Sequence, residues 1–239
     1  MAVYVYAVTR REHPCRLDGL TGVGPGDPPV RVVESGELRA VVSDVGEEEI
    51  RPRRRDLIAH QAVLDRLLAD GTPLPLQFGY VAPDDGAVRQ VLDERADTYL
   101  DALAGVQGCA EYNVKAEQEE GALLRGILAD SPRASGLNEE ILAGDTDPRL
   151  PLELGRLVAG EVERRRSHAS AELIRALAPT ARAYVVHPPT GEDFLNLSLL
   201  VPRDGERSFL DAHTELARDT DSGVRTRVAG PLPPYSFVP

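Results

Sequence analysis

The groups able to do chemistry in this sequence are five histidines, two cysteines, one glycine-rich loop and a surplus of carboxylates. His13, His60, His168, His187 and His213 include no HExxH pair, and His13-Pro14-Cys15 offers only two ligand types in a loop, whereas a zinc site needs three or four. Cys15 and Cys109 form no CxxC motif and no disulfide framework, so a reduced, cytosolic setting is expected. Residues 21–29 (TGVGPGDPP) lack both GxGxxG spacing and GK[ST], and their prolines oppose a helix that would present backbone N–H groups to phosphate. There is no GxSxG elbow. Asp84, Asp85, Glu139 and Glu140 are explained by helix capping and solubility. His60 interrupts the apolar side of a helix and reads as a satisfied polar contact inside a domain. No catalytic residue, metal ligand or cofactor site is expected, and the chain is read as a non-enzyme.

Charge narrows the partners. A formal charge of −12 repels phosphates, so neither nucleic acid nor an anionic membrane is an expected partner. The local basic runs, residues 51–55 (RPRRR) and 163–166 (ERRR), follow or contain glutamates and have no interleaved aromatics, as solvated helix surface does. Residues 1–9 (MAVYVYAVT) have no basic leader, and no window reaches the uninterrupted apolar length of a membrane span.

The elements that position these groups follow from periodicity. Residues 2–9 read as a buried strand, and residues 30–45 as a hairpin about Ser35-Gly36. A helix follows from Pro52 to Asp70, with Leu57, Leu64, Leu67 and Leu68 inward and Gly71 as its stop. Residues 72–83 (TPLPLQFGYVAP) are too punctuated for a central strand and suit an edge strand or buried extended segment. One helix is expected after Asp84-Asp85, running through Leu103. A strand at 108–117 and a helix to Leu128 come next, and residues 130–151 read as a mobile loop. A long helix to Leu177, strands at 181–187 and 194–201, a helix at 206–218 and a strand at 224–229 complete the order β-α-β-β-α-β. The expected architecture is α+β in two domains: an N-terminal α+β domain (1–105) with a small, mainly antiparallel sheet, and a ferredoxin-like domain (106–229) with an insertion at about 117–150. Residues 230–239 (GPLPPYSFVP) carry four prolines and two aromatics, and are expected to lie as an extended tail across the N-terminal domain through Pro231, Pro234, Tyr235 and Phe237.

With these segments in place the chain resembles the gas vesicle protein F and L family over nearly its whole length. The resemblance rests on YVYAVT (4–9), LRAVVSDV (38–45), His60 with VLDRLL (63–68), PLPLQFGYV (73–81), EYNVKA (111–116), FLNLSLLVP (194–202) and the terminal GPLPPYSFV. The glycine-proline-aromatic close and Phe78-Gly79 are its most specific parts. Where the family often has Arg before Phe-Gly and Thr after it, this chain has Gln77 and Tyr80. Membership implies a non-enzymatic role in the gas vesicle. It also implies the major hydrophobic shell subunit, and other gas vesicle accessory proteins, as partners of a cytoplasmic or vesicle-associated protein. A soluble, acidic partner that covers such a subunit needs an apolar patch or strand edge, and Leu74, Leu76, Phe78, Tyr80 and Val81 are the candidates. The competing expectation is a small-molecule-binding or regulatory module, because ferredoxin-like folds often serve that end.

Overall fold

β1 (Val3–Arg10) is the centre of the first sheet because its β-branched and aromatic side chains bury both faces. It pairs antiparallel with β3 (Leu38–Asp44), which pairs with β2 (Val30–Ser35). The hairpin turn is Gly36-Glu37, one residue later than expected, because Ser35 is paired with Leu38; Gly36 takes the positive φ of 54°. A bulge at Tyr6 breaks the register between Val5 and Ala7. It returns Val8 to the face of Val3 and Val5, and puts Ala7 beside Tyr4 and Tyr6 on the other. On its far side β1 pairs with two short strands, β4 (Leu74–Pro75) and β5 (Val81–Ala82). A computed structural model of the chain describes residues 1–46, 50–218 and 223–238, so Glu47, Glu48 and Glu49 beside the first basic run, and Pro239 of the tail, lie outside the described residues.

The chain divides into two compact units. The first is built from three stretches, Met1–Tyr112, Leu200–Arg203 and Gly230–Pro239. Its helix α1 (Arg54–Asp70) buries Leu64, Leu67 and Leu68 as expected and Val63 besides, but Leu57 is exposed and Asp56 is buried in its stead. The Asp56 carboxylate accepts a hydrogen bond from Gly24 N–H at 3.1 Å, which is why a charge can occupy the inner position. At the C-terminal end of α1 the carbonyls of Leu67, Leu68 and Gly71 accept from His13 (3.0 Å), Arg203 and Arg203 (3.0 Å) respectively. The single helix expected after Asp84 is two: α2 (Asp85–Glu94), capped by Asp84 through Ala87 N–H at 2.8 Å, and α3 (Ala96–Val106). They part at Arg95, whose φ of −115° and ψ of 19° leave the helical region.

The second unit comprises Asn113–Leu199 and Asp204–Ala229. The second sheet has the order β7-β8-β6-β9, from β6 (Cys109–Gln118), β7 (Ala183–His187), β8 (Asp193–Pro202) and β9 (Val224–Leu232). Leu195, Leu197 and Leu199 are buried, with half-buried Asn196 between them. Between β6 and β7 come α4 (Glu120–Asp130), α5 (Pro132–Leu142) and α6 (Arg149–Leu177), while α7 (Glu206–Ala217) precedes β9. α5 stands where a loop was expected. Ser131 caps it by accepting from Ala134 N–H, and Pro132 occupies its first turn, where the missing N–H costs nothing.

Candidate functional site

The five residues expected to meet a partner fall into three environments. Leu74 is in the core, paired with Val8 across β4 and 2% exposed. Leu76 and Phe78 are half-buried, and the Leu76 N–H donates to Tyr6 O at 2.8 Å. Tyr80 and Val81 face outward, 49% and 43% exposed. Their backbone is held from the inside: Val5 N–H donates to Tyr80 O at 3.0 Å, and Val81 pairs with Tyr4. β4 and β5 pair with β1 alone, so no strand among the described residues occupies their outer edge.

Behind this segment lies an aromatic cluster. Phe78 sits 5.8 Å from the Tyr4 ring and 5.6 Å from the His60 ring in tilted and edge-on geometry, and the Tyr6 ring stacks on His60 at 5.7 Å. The Tyr4 hydroxyl accepts from Gly79 N–H at 3.0 Å and lies 2.9 Å from His60 Nδ1; His60 Nε2 lies 3.2 Å from the Tyr235 hydroxyl. All three contacts are satisfied by a neutral imidazole in which Nδ1 accepts from Tyr4 and Nε2–H donates to Tyr235. Burial holds the His60 pKa down to about 4 and raises that of Tyr235 to about 12. A group that is neutral on both sides of physiological pH is a structural connector here.

The tail residues have separate seats within the first unit. Tyr235 packs against the cluster of Tyr4, Tyr6 and Val63, while Phe237 packs against that of Val3, Val5 and Leu103. Because Tyr4 and Val5 lie on opposite faces of β1, the two aromatics serve opposite faces of one sheet. Between them, Ser236 donates from its N–H (2.8 Å) and its hydroxyl (2.7 Å) to the carboxylate of Glu111, a residue 4% exposed. Pro231 continues β9, and Pro234 is buried immediately before Tyr235. Gly230, at φ 152°, passes Tyr112 so closely that a Cβ would lie 2.5 Å from its ring.

Two features escaped the sequence reading. Glu111 was the partner of the tail, and its signal was a lone charge between the apolar Ala110 and Tyr112 of a strand. Leu57 and Ile58, 44% and 58% exposed, line with His60, Gln61, Phe78 and Tyr235 a groove of about 490 Å³, and no carboxylate among the described residues lines it. Cys109, buried, directs its thiol at Gln107 O.

The same mixed α+β arrangement with antiparallel sheets occurs in two solved gas vesicle proteins. The crystal structure of gas vesicle protein GvpF from Microcystis aeruginosa matches with a TM-score of 0.80 over 99% of this chain and 98% of that one, at 22% identity. That of GvpF from Anabaena sp. PCC7120 matches with a TM-score of 0.81 over 100% and 96%, also at 22% identity. In sequence, gas vesicle protein F of Streptomyces sp. (strain CB03234) is 41% identical over the whole of both chains, and gas vesicle protein L of the same organism is 32% identical over 98% of this chain and 91% of its own. The family model described as gas vesicle synthesis protein GvpL/GvpF matches residues 2–239, and the chain belongs to that family. Its role is therefore related to the gas vesicle. No helix among the described residues is long and apolar enough to cross a membrane.

Proposed function

We propose that the chain binds the hydrophobic shell subunit of the gas vesicle directly and supports its assembly, with no bond-making of its own. A subunit that forms an apolar wall exposes aggregation-prone surface before it is incorporated, and a partner with a net charge of −12 keeps the complex dispersed. The observation that carries the reading is the pair Tyr80 and Val81, exposed beside the outer edge of β5 where a further strand can add. Leu76 and Phe78 complete the patch, and Leu74 anchors it from below. Other gas vesicle accessory proteins are partners of the same kind, and the place of action is the cytoplasm and the vesicle surface.

The reading includes a scaffold. A domain over residues 1–105 carries the patch, a ferredoxin-like domain over 106–229 follows it, and residues 230–239 strap the first domain shut. The order β7-β8-β6-β9 and the two seats of Tyr235 and Phe237 support this division. The test is co-purification of the chain with the shell subunit. Tyr80→Asp with Val81→Asp is expected to abolish capture while the chain stays folded, read from an unchanged circular dichroism spectrum, because these are the two most exposed side chains of the patch. Full capture by that variant rejects the assigned surface, and no capture by the parent chain rejects the function.

A further inference from the structure

Between the first sheet and α2 the first unit contains a pocket of about 130 Å³ that opens to solvent beside Tyr80, Val81 and Pro83. Its floor is Val5, Val8 and Ala40 of the sheet, at most 3% exposed, and its wall is Val88 and Leu92 of α2, at most 5% exposed. Tyr99, Tyr80 and Val81 stand around it, the last two exposed. Apolar side chains that face an unfilled space lose dispersion partners. Water is a poor occupant of the inner end: it needs two to four polar partners, and the lining side chains offer only the phenols of Tyr80 and Tyr99. Two nearby backbone donors are already used, since Val5 N–H donates to Tyr80 O and Leu76 N–H to Tyr6 O. Apolar cavities of about 150 Å³ in protein cores stay dry and admit benzene or xenon.

We infer that this cavity is a binding site for a small, uncharged, apolar molecule no larger than a single six-membered ring. The lining carries no charge to orient a polar ligand, and the volume excludes a longer chain. The exposed Tyr80 and Val81 mark the way in. Leu76, Tyr80 and Val81 line this site and also belong to the proposed shell-binding patch, so the titration below is done without the shell subunit and its failure leaves that reading standing.

Methyl-labelled full-length chain titrated with benzene, and separately equilibrated with xenon under pressure, tests it. Saturable shifts confined to Val5, Val8, Val88, Val91 and Leu92, with a melting temperature that rises with benzene concentration, are expected. Ala87→Leu, which extends into the cavity from half-buried helix surface, is expected to weaken benzene binding at least tenfold; Val88→Phe fills the same space from the wall. Absence of saturable shifts in the parent chain, or shifts unchanged in a folded filled variant, overturns the inference. So do shifts centred on Leu123 and Ile127 instead. The parent titration decides the matter even if both variants fail to fold.

Discussion

The aromatic core of the first unit and the layer of α4, α5 and α6 in the second bury side chains by different rules. In the first, Tyr4, Tyr6, His60 and Glu111 are each under 5% exposed, and every one has named hydrogen-bond partners at 2.7 to 3.2 Å. In the second, one cluster on α4, α5 and α6 centres on buried Leu123, Ile127 and Ala134, with Leu154, Val158 and Val162 half-covered around them. Leu142 and Leu152 stand 77% and 64% exposed at the ends of α5 and α6. The lesson is that stability and specificity reside in the polar-satisfied core, where removing one partner strands another. The half-covered helical layer loses less from single changes.

The most severe challenge to this contrast is deletion of residues 231–239. It removes both tail aromatics from opposite faces of the sheet, and we expect a loss of about 5 kcal/mol and a melting temperature lower by about 10 °C or more, without any partner present. An unchanged melting curve would make the two regions equivalent. Next, Leu64→Ala in the closed core is expected to cost about 3 kcal/mol and Leu154→Ala in the half-covered face of α6 about 1 kcal/mol, read from denaturant midpoints; equal costs break the contrast.

The third test uses pH. The His60 pKa is about 4 in the folded chain and near 6.5 when unfolded. The unfolded state therefore takes the proton first, so the His60 contribution is complete above about pH 6.5 and is lost as pH falls towards 4. Comparison with His60→Gln, which has no proton to bind, is expected to show the advantage of the parent narrowing by about 2 to 3 kcal/mol between pH 7 and pH 4. A constant difference would mean the imidazole is not held neutral. Smaller still, Glu111→Gln keeps the shape but weakens two charge-assisted bonds to Ser236, for about 1 to 2 kcal/mol in thermal or chemical unfolding. Smallest is Arg133→Ala, which breaks an exposed pair between α5 and Glu153 of α6 and is expected to change stability by less than about 0.5 kcal/mol.

The parts of this fold that were legible in the sequence are those where one local rule had no rival. Valine and tyrosine runs could only be strands, Gly71 ends α1 with its backbone N–H on Leu67 O, and the Asp84 side chain caps α2. Misreadings arose where one residue obeyed two rules. Ser131-Pro132 is as good a helix start as a loop signal, and it starts α5. Leu57 fits the apolar period of α1 but yields the inner place to Asp56, whose partner Gly24 is 32 positions away and invisible to periodicity. The candidate patch was found as a segment, yet its division into buried Leu74 and exposed Tyr80 and Val81 depends on the bulged register of β1. The Glu111 seat of the tail depends on a contact across 125 positions.

The bond from Tyr235 to His60 joins positions 175 apart in the chain. At a synthesis rate of about 5 to 20 residues per second, α1 leaves the ribosome roughly 10 to 35 s before its last neighbour is made. For that interval the nascent protein carries an unfinished aromatic recess. Completion of the first unit thus waits for the segment around Tyr235 to be made, and a ribosome that stalls before it would leave behind a sticky fragment for chaperones and proteases to find.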